Sequence, residues 1–163
     1  MKFTHIKKNK EIKMVDISKK KNVPREAKAR ALIRFSTQTF NKVISDESPK
    51  GTIFNTAAIA ATMAAKKTHE LIPLCHNINL SSINIDFKII KKISAVEIIS
   101  SVKSNTKTGV EMEALAACSI AALTIYDMCK SFDKKIIIED LRLLLKSGGK
   151  SGIYKDDIIY PSY

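Results

Sequence analysis

Cysteine is scarce in this chain, and linkers, long apolar runs and acids are scarce or missing too. Three cysteines occur among 163 residues, Cys75, Cys118 and Cys129. Their number is odd, no C-x-x-C pair exists, and all three lie in apolar surroundings. A disulfide framework and a zinc ribbon are therefore excluded in favour of reduced thiols. No repeat or low-complexity linker divides the sequence, so residues 1–163 read as a single domain, long enough to enclose one core. The opening "MKFTHIKKNKEIKMVDIS" has no apolar h-region, so no secretory signal is expected. The uncharged run Ala114 to Tyr126 is short of the roughly 20 apolar residues that span a bilayer. The expectation is a cytoplasmic protein that does not engage a membrane.

Acids are outnumbered. Against 28 Lys+Arg stand 16 Asp+Glu, a net charge of +12. That balance suits a phosphate-rich partner, and it equally suits a solvated, lysine-rich surface. Lys20, near the amino terminus, is read as surface charge of the second kind.

What is present organises into elements. Residues 1–24 form an extended arm ending at Pro24. In "REAKARALIRF" the composition favours helix, but Ala27, Ala29, Ala31, Ile33 and Phe35 alternate with polar or opposite-facing residues. Period 2 makes it a strand. "STQTFNKVISD" is a short helix with Ser36 as N-cap, and "ESPKG" is a loop carrying Lys50. "TIFNTAAIAATMAAKKTHEL" is an alanine-rich helix. A hairpin follows: Ile83, Ile85, Phe87 and Ile89 alternate on one arm, Val96, Ile98, Ser100 and Val102 on the other, with "KKIS" as the turn. A long helix runs from about Val110 to Phe132. "KKIIIEDLRLLLK" is a last, largely buried strand, and residues 152–163 are a loose tail. The order β-α-α-β-β-α-β predicts an α+β fold, a ferredoxin-like antiparallel sheet with helices packed on one face. The helices are lined with Ala, Ser and Cys, so the sheet or a neighbouring subunit can approach them closely.

Several residues could carry chemistry. Asp127 and Lys130 are three apart and share a helix face. In an ordinary setting they are a weak surface ion pair; at the edge of a dry region they can exchange roles as acid and base. Glu111 and Glu113 lie in the first turn of the long helix, where the dipole favours acids. With Met112 they could also hold a flat heterocycle. His76, in "LIPLCHN", has no nearby carboxylate or second histidine, so it suits a hydrogen bond to a ligand better than a metal. Gly149-Lys150-Ser151 imitates the end of a P-loop, but Leu144 stands where the first glycine belongs. Lys146 and Lys150 can still meet phosphate.

The strings "LIPLCH", "KTGVEMEAL", "AALTIYDMCK" and "KSGGKSG", in this order and spacing, resemble the cyclic pyranopterin monophosphate synthase family of molybdenum cofactor biosynthesis. "THI…MVDIS", "PREA" and the stretch Lys50 to Phe54 match as well, so the resemblance covers nearly the whole chain. It implies a ferredoxin-like lyase that rearranges a cyclic dihydroguanosine triphosphate into cyclic pyranopterin monophosphate, releasing diphosphate. It also implies a homohexamer, a trimer of dimers, with the active site at a subunit boundary. By motif position Asp127 and Lys130 fall on the catalytic aspartate and lysine. Leu74, Cys75 and His76 fall on one substrate-binding stretch, Met112 and Glu113 on another, and Lys50, Lys66 and Arg25 on functional basic positions. Asn77 departs from the family's usual proline, which leaves His76 in place but could loosen the next turn.

The reaction needs a cationic cradle, for which Lys50, Lys66, Lys146 and Arg25 are candidates. It needs acid-base groups, Asp127 and Lys130, and directional contacts to the base from His76, Met112 and Glu113, with Glu111 beside them. No redox cofactor is required. A divalent cation can travel with the triphosphate, although no carboxylate cluster calls for one. A helix of about 20 residues places its ends about 30 Å apart, so both ends serve one site only if two subunits share it. Nucleic acid is a poorer partner, because the strands offer only Phe35 and Phe87 for stacking. A purely structural oligomer leaves the Asp-Lys pair without a reason.

Overall fold

The structure, a computed structural model, describes residues 11–45, 50–150 and 152–156. Its frame is an antiparallel sheet ordered β2-β3-β1-β4-β5. The central strand β1 (Val23–Arg34) settles the conflict between helical composition and period-2 patterning in favour of the pattern. Ala27, Ala29, Ala31 and Ile33 are fully buried on one face of it. A helix would have scattered these residues around its circumference, whereas a strand collects them on one side.

Strand β3 (Ala95–Thr106) pairs with β1 along its whole length, from Val23 opposite Thr106 to Arg34 opposite Ala95. Strand β2 (Ser82–Ile90) joins β3 as a hairpin. The hairpin turn is a short 3-10 segment, Lys91–Ile93, closed by Ser94 in the left-handed region at φ 51°. Strand β4 (Ile137–Ser147) flanks β1 on the other side, and β5 (Tyr154–Lys155) adds two residues to its outer edge. The predicted loose tail is thus paired at Tyr154 and Lys155, opposite Lys146 and Leu145.

The helix layer covers one face. Helix α1 (Thr37–Ile44) starts as expected at Ser36, whose hydroxyl accepts the Thr39 amide. Helix α2 (Lys50–Lys66) already includes Lys50 and Gly51, so these two are helical rather than loop; residues 47–49 of the predicted loop lie outside the described residues. Helix α3 (Thr68–Leu71) is separate from α2, breaking the expected single helix at Lys67. Helix α4 (Glu111–Cys129) packs on β1, β3, β4 and α2. By length and composition α4 is apolar enough to cross a membrane, with a mean hydropathy of 1.4. That apolarity is spent on packing: Ala114, Ala117, Cys118, Ala121, Ala122 and Ile125 are all fully buried.

The predicted "largely buried" last strand is mostly half-buried, and it carries two irregularities. Its register against β1 shifts between Lys28 and Ala29 and again between Arg30 and Leu32. At the second shift Asp140 adopts φ 57°, a left-handed conformation that aspartate tolerates better than most residues. The bulge delivers its carboxylate to Arg30, on the helix-free face. Arg30 is 2% exposed and is held between Glu97 and Asp140, each at 2.7 Å.

The alanine row of β1 leaves no room for larger side chains under α4. Ala29→Leu is therefore expected to destabilise the fold by about 1–3 kcal/mol through overpacking, read as a lowered urea midpoint with an unchanged slope.

Candidate active site

Three chain segments converge where β1 begins. Val23 pairs with Thr106 at the end of β3, α4 starts shortly afterwards at Glu111, and Ser147 at the end of β4 pairs with Glu26. A cavity of about 930 Å³ opens there. Arg25, Lys107, Lys146 and Lys150 line it from the body of the domain. Lys19, Lys20 and Lys21 line it from the arm. Only three acids share the lining, Asp16, Glu26 and Glu111, so the basin carries a local excess of positive charge.

Glycine shapes this floor. Gly149 lies at φ 79°, and a Cβ there would collide with the Arg25 guanidinium, so the bare backbone lets that side chain lie across the turn. Arg25 also reaches the carbonyls of Thr106 and Lys107 at 3.5 and 3.4 Å, tying the start of β1 to the end of β3 and the segment that leads to α4. At the first turn of α4, the Glu111 carboxylate folds back over Gly109 and pairs with Lys146 at 3.2 Å.

Glu113 is two residues further on and points inward. It is 4% exposed. Burial pushes its carboxyl up to about 7, its own backbone amide pulls the other way, and the charge of Glu111 adds to the rise. Cys75 stands close enough to feel Glu113: burial first and that carboxylate second raise its thiol, which favours the protonated form. His76 is half-buried, and its Nε2 is buried without a hydrogen-bond partner among the described residues. Asp16 of the arm is held below the usual carboxylate range chiefly by the Ser18 amide and hydroxyl, with His76 a lesser contributor. His76 thus stands within electrostatic reach of the cavity wall. Leu74 is half-buried, Met112 is exposed at the mouth of α4, and Lys66 is exposed at the end of α2, from which α3 leads back to Cys75.

The expected acid-base pair is elsewhere. Lys130 Nζ lies 2.5 Å from Asp127 Oδ1, and both side chains are more than half exposed. The Asp127 hydrogen bond, then its charge, raises the Lys130 ammonium. The turn beyond them is pinned by Asp133, whose carboxylate accepts the Ser36 hydroxyl at 2.9 Å and the Lys135 amide at 2.8 Å. Asp127 lies 16 helical positions beyond the cavity-lining Glu111, about 24 Å of rise. One chain therefore gathers Arg25, Glu111 and Lys146 in the basin, with Cys75, His76 and Glu113 adjoining. It leaves Asp127 and Lys130 at the opposite pole, and it starts α2 with Lys50 at the end away from Lys66. Among the described residues, no three of His, Cys, Asp and Glu come together to hold a metal ion.

Sequence reasoning missed Lys107 and the arm. Lys20 was read as ordinary surface charge and instead lines the cavity. The available signal was the run of three lysines directly before the strand that opens beside the α4 start.

An antiparallel sheet of this topology, with a basic basin at the first turn of its longest helix, defines an α+β domain suited to an anionic small molecule. The MoaC family model matches residues 14–149, and the chain belongs to that family, the cyclic pyranopterin monophosphate synthases, enzymes of molybdenum cofactor biosynthesis. Among solved structures it is similar to a mutant of the ferredoxin protease FusC in complex with Arabidopsis ferredoxin. That match has 10% identity and a TM-score of 0.30, over 68% of this chain and 10% of the other. Likeness at that level carries no argument.

Glu113 yields a stability test. Its folded carboxyl titrates near 7 against an ordinary 4.5, so the folded state binds a proton that the unfolded state has lost. This contribution is fully present below about 4.5 and disappears as pH rises through 7. Between about pH 5 and pH 8 the wild type should lose on the order of 2 kcal/mol relative to Glu113→Gln, by urea unfolding. Parallel pH curves for the two proteins would show that Glu113 titrates normally.

Proposed function

We infer that the protein converts (8S)-3',8-cyclo-7,8-dihydroguanosine 5'-triphosphate to cyclic pyranopterin monophosphate with release of diphosphate, as a phosphorus-oxygen lyase acting in the cytoplasm. The observation that carries this reading is the basic cavity at the first turn of α4, in a chain of this family. Arg25 is a bidentate fork for phosphate, and Lys146 and Lys66 are point charges. Together they absorb the charge that develops on the departing diphosphate. Glu111 holds Lys146 by its ion pair and releases it to the phosphates. His76, whose Nε2 is buried without a hydrogen-bond partner among the described residues, and Glu113, whose carboxyl burial raises to about 7, fix the heterocycle by directional hydrogen bonds, flanked by Leu74, Cys75 and Met112. A divalent cation can enter with the triphosphate, held by the phosphates rather than by a protein cluster.

Asp127 and Lys130 supply the acid-base steps that open the purine-derived ring and move protons as it recloses. The helix length keeps them from their own chain's basin. A second copy must therefore bring its Asp127 and Lys130, and its Lys50, to complete each site. A homohexamer built as a trimer of dimers satisfies this requirement. Nucleic acid fits less well. Phe35 is buried, and Phe87 stacks on Phe54 of α2 at 5.0 Å, so neither presents a platform on the open face of the sheet.

The test is incubation of the purified protein with the cyclic triphosphate, with diphosphate and the cyclic monophosphate quantified. Asp127→Asn and Lys130→Ala should each lower turnover about a hundredfold or more without lowering the melting temperature. Mixing inactive Asp127→Asn with inactive Arg25→Ala subunits, after dissociation and reassembly, should restore about one site in four, because a mixed dimer holds one intact site. No recovery on mixing would place each site within one chain and defeat the shared arrangement.

A further inference from the structure

The arm is part of the cavity wall, and its placement is specified by several contacts. Asp16 accepts the Ser18 amide at 2.8 Å, and the Lys20 amide closes a turn on the Ile17 carbonyl at 3.0 Å. Lys107, in the segment between β3 and α4, donates to the Ser18 carbonyl at 3.1 Å and fastens that turn to the body of the domain. The chain leaves the turn through Lys19, Lys20 and Lys21, all exposed and all lining the cavity across from Lys146 and Gly149. Three adjacent cations on one wall repel one another and are kept together at a cost. A polyanion seated between the arm and the body relieves that repulsion.

We propose that the arm is the outer wall of the phosphate site, with Lys19, Lys20 and Lys21 holding the terminal phosphates and Lys107 as the tether that docks them. This rests on the reading of the cavity as a triphosphate site and extends it to a specificity determinant. Lys19, Lys20 and Lys21 line the cavity, whereas His76 and Glu113, the groups suited to the base, do not, so the three lysines act on the phosphate end of the ligand. A ligand with one phosphate leaves the arm largely unused. A triphosphate spans from Arg25 and Lys146 to the arm, and the diphosphate it loses departs from the arm's side.

The experiment uses the full chain with two probes, inorganic triphosphate and guanosine monophosphate, followed by calorimetric titration. The combined Lys19→Ala, Lys20→Ala, Lys21→Ala variant should bind inorganic triphosphate about tenfold or more weakly, with guanosine monophosphate affinity and melting temperature nearly unchanged. Arginine at the same three positions should retain triphosphate binding. Lys91→Ala with Lys92→Ala, at the hairpin turn, should bind both probes as the wild type does. Inorganic triphosphate should also slow tryptic cleavage after Lys19, Lys20 and Lys21 and leave cleavage after Lys91 unaffected. Unchanged triphosphate affinity in the alanine variant, equal losses for both probes, or an arm cut at the same rate with and without triphosphate would each overturn the assignment. Inorganic triphosphate has no base, so its binding reports on the arm whether or not the cyclic triphosphate turns over. Normal turnover with no arm effect defeats this inference alone. An arm effect without wild-type turnover defeats the reaction reading alone.

Discussion

The closeness of α4 to the sheet is the constraint on which the rest of the molecule depends. It is close enough for side chains on one to bond the backbone of the other. The Ser100 hydroxyl donates to the Ala114 carbonyl at 2.7 Å, and the Cys118 thiol reaches the Ile98 carbonyl at 3.7 Å. Such an approach needs small residues on both surfaces, which is why Ala27, Ala29 and Ala31 on β1 face Ala114, Ala117 and Ala121 on α4. A Leu-rich interface would bury more area per residue but would lift the helix away. The first turn of α4 would then no longer sit down at the sheet end, where Glu113 is buried near Cys75.

A helix clamped in this way carries charged side chains at both ends and none in its middle. The cations at one end and the Asp127–Lys130 pair at the other are equally fixed by the packing, and neither can move to the other. Asp133 reinforces the distant end by linking the turn after α4 to the cap of α1, with the Lys42 ammonium 5.6 Å over the Phe132 ring. One chain therefore holds the basic basin and the Asp127–Lys130 pair at opposite ends of the same helix. Helices α2 and α4 leave the apolar side chains Ile59, Met63 and Leu123 exposed.

Much of this was legible because short-range rules governed it. Period 2 overruled helical composition in β1 because β1 is central and one of its faces is fully buried. Ser36 was legible as a cap because its role depends only on the next three residues. The last strand was harder to read, since two bulges shift its phase, and a sequence with broken alternation looks uniformly apolar. The start of α2 at Lys50 and its break at Lys67 are boundary effects, where propensity is weakest. Arg25, Glu111, Glu113 and Lys146 could be singled out in the sequence, but their convergence depends on long-range pairing of β1 with β3 and β4. The role of Lys20 was hidden for the same reason: no local rule shows that a lysine run before a strand lies across from the end of another strand. Gly149 was visible as a permissive residue, but that it lies against Arg25 depended on tertiary contact.

The charges of the site also have an internal logic that the net +12 conceals. In a basin lined mainly by cations, Glu111 pairs with Lys146 at 3.2 Å. Burial still raises the Glu113 carboxyl to about 7, because it outweighs the field of cations that stand in solvent. Two glutamates two residues apart on one helix thus differ: Glu111 holds a lysine, and Glu113 is buried with its carboxyl raised. A polyanion seated in the basin would draw Lys146 away from Glu111 and bring negative charge towards Glu113. The second change raises the Glu113 carboxyl further. Negative charge in the basin and proton retention at Glu113 therefore reinforce each other.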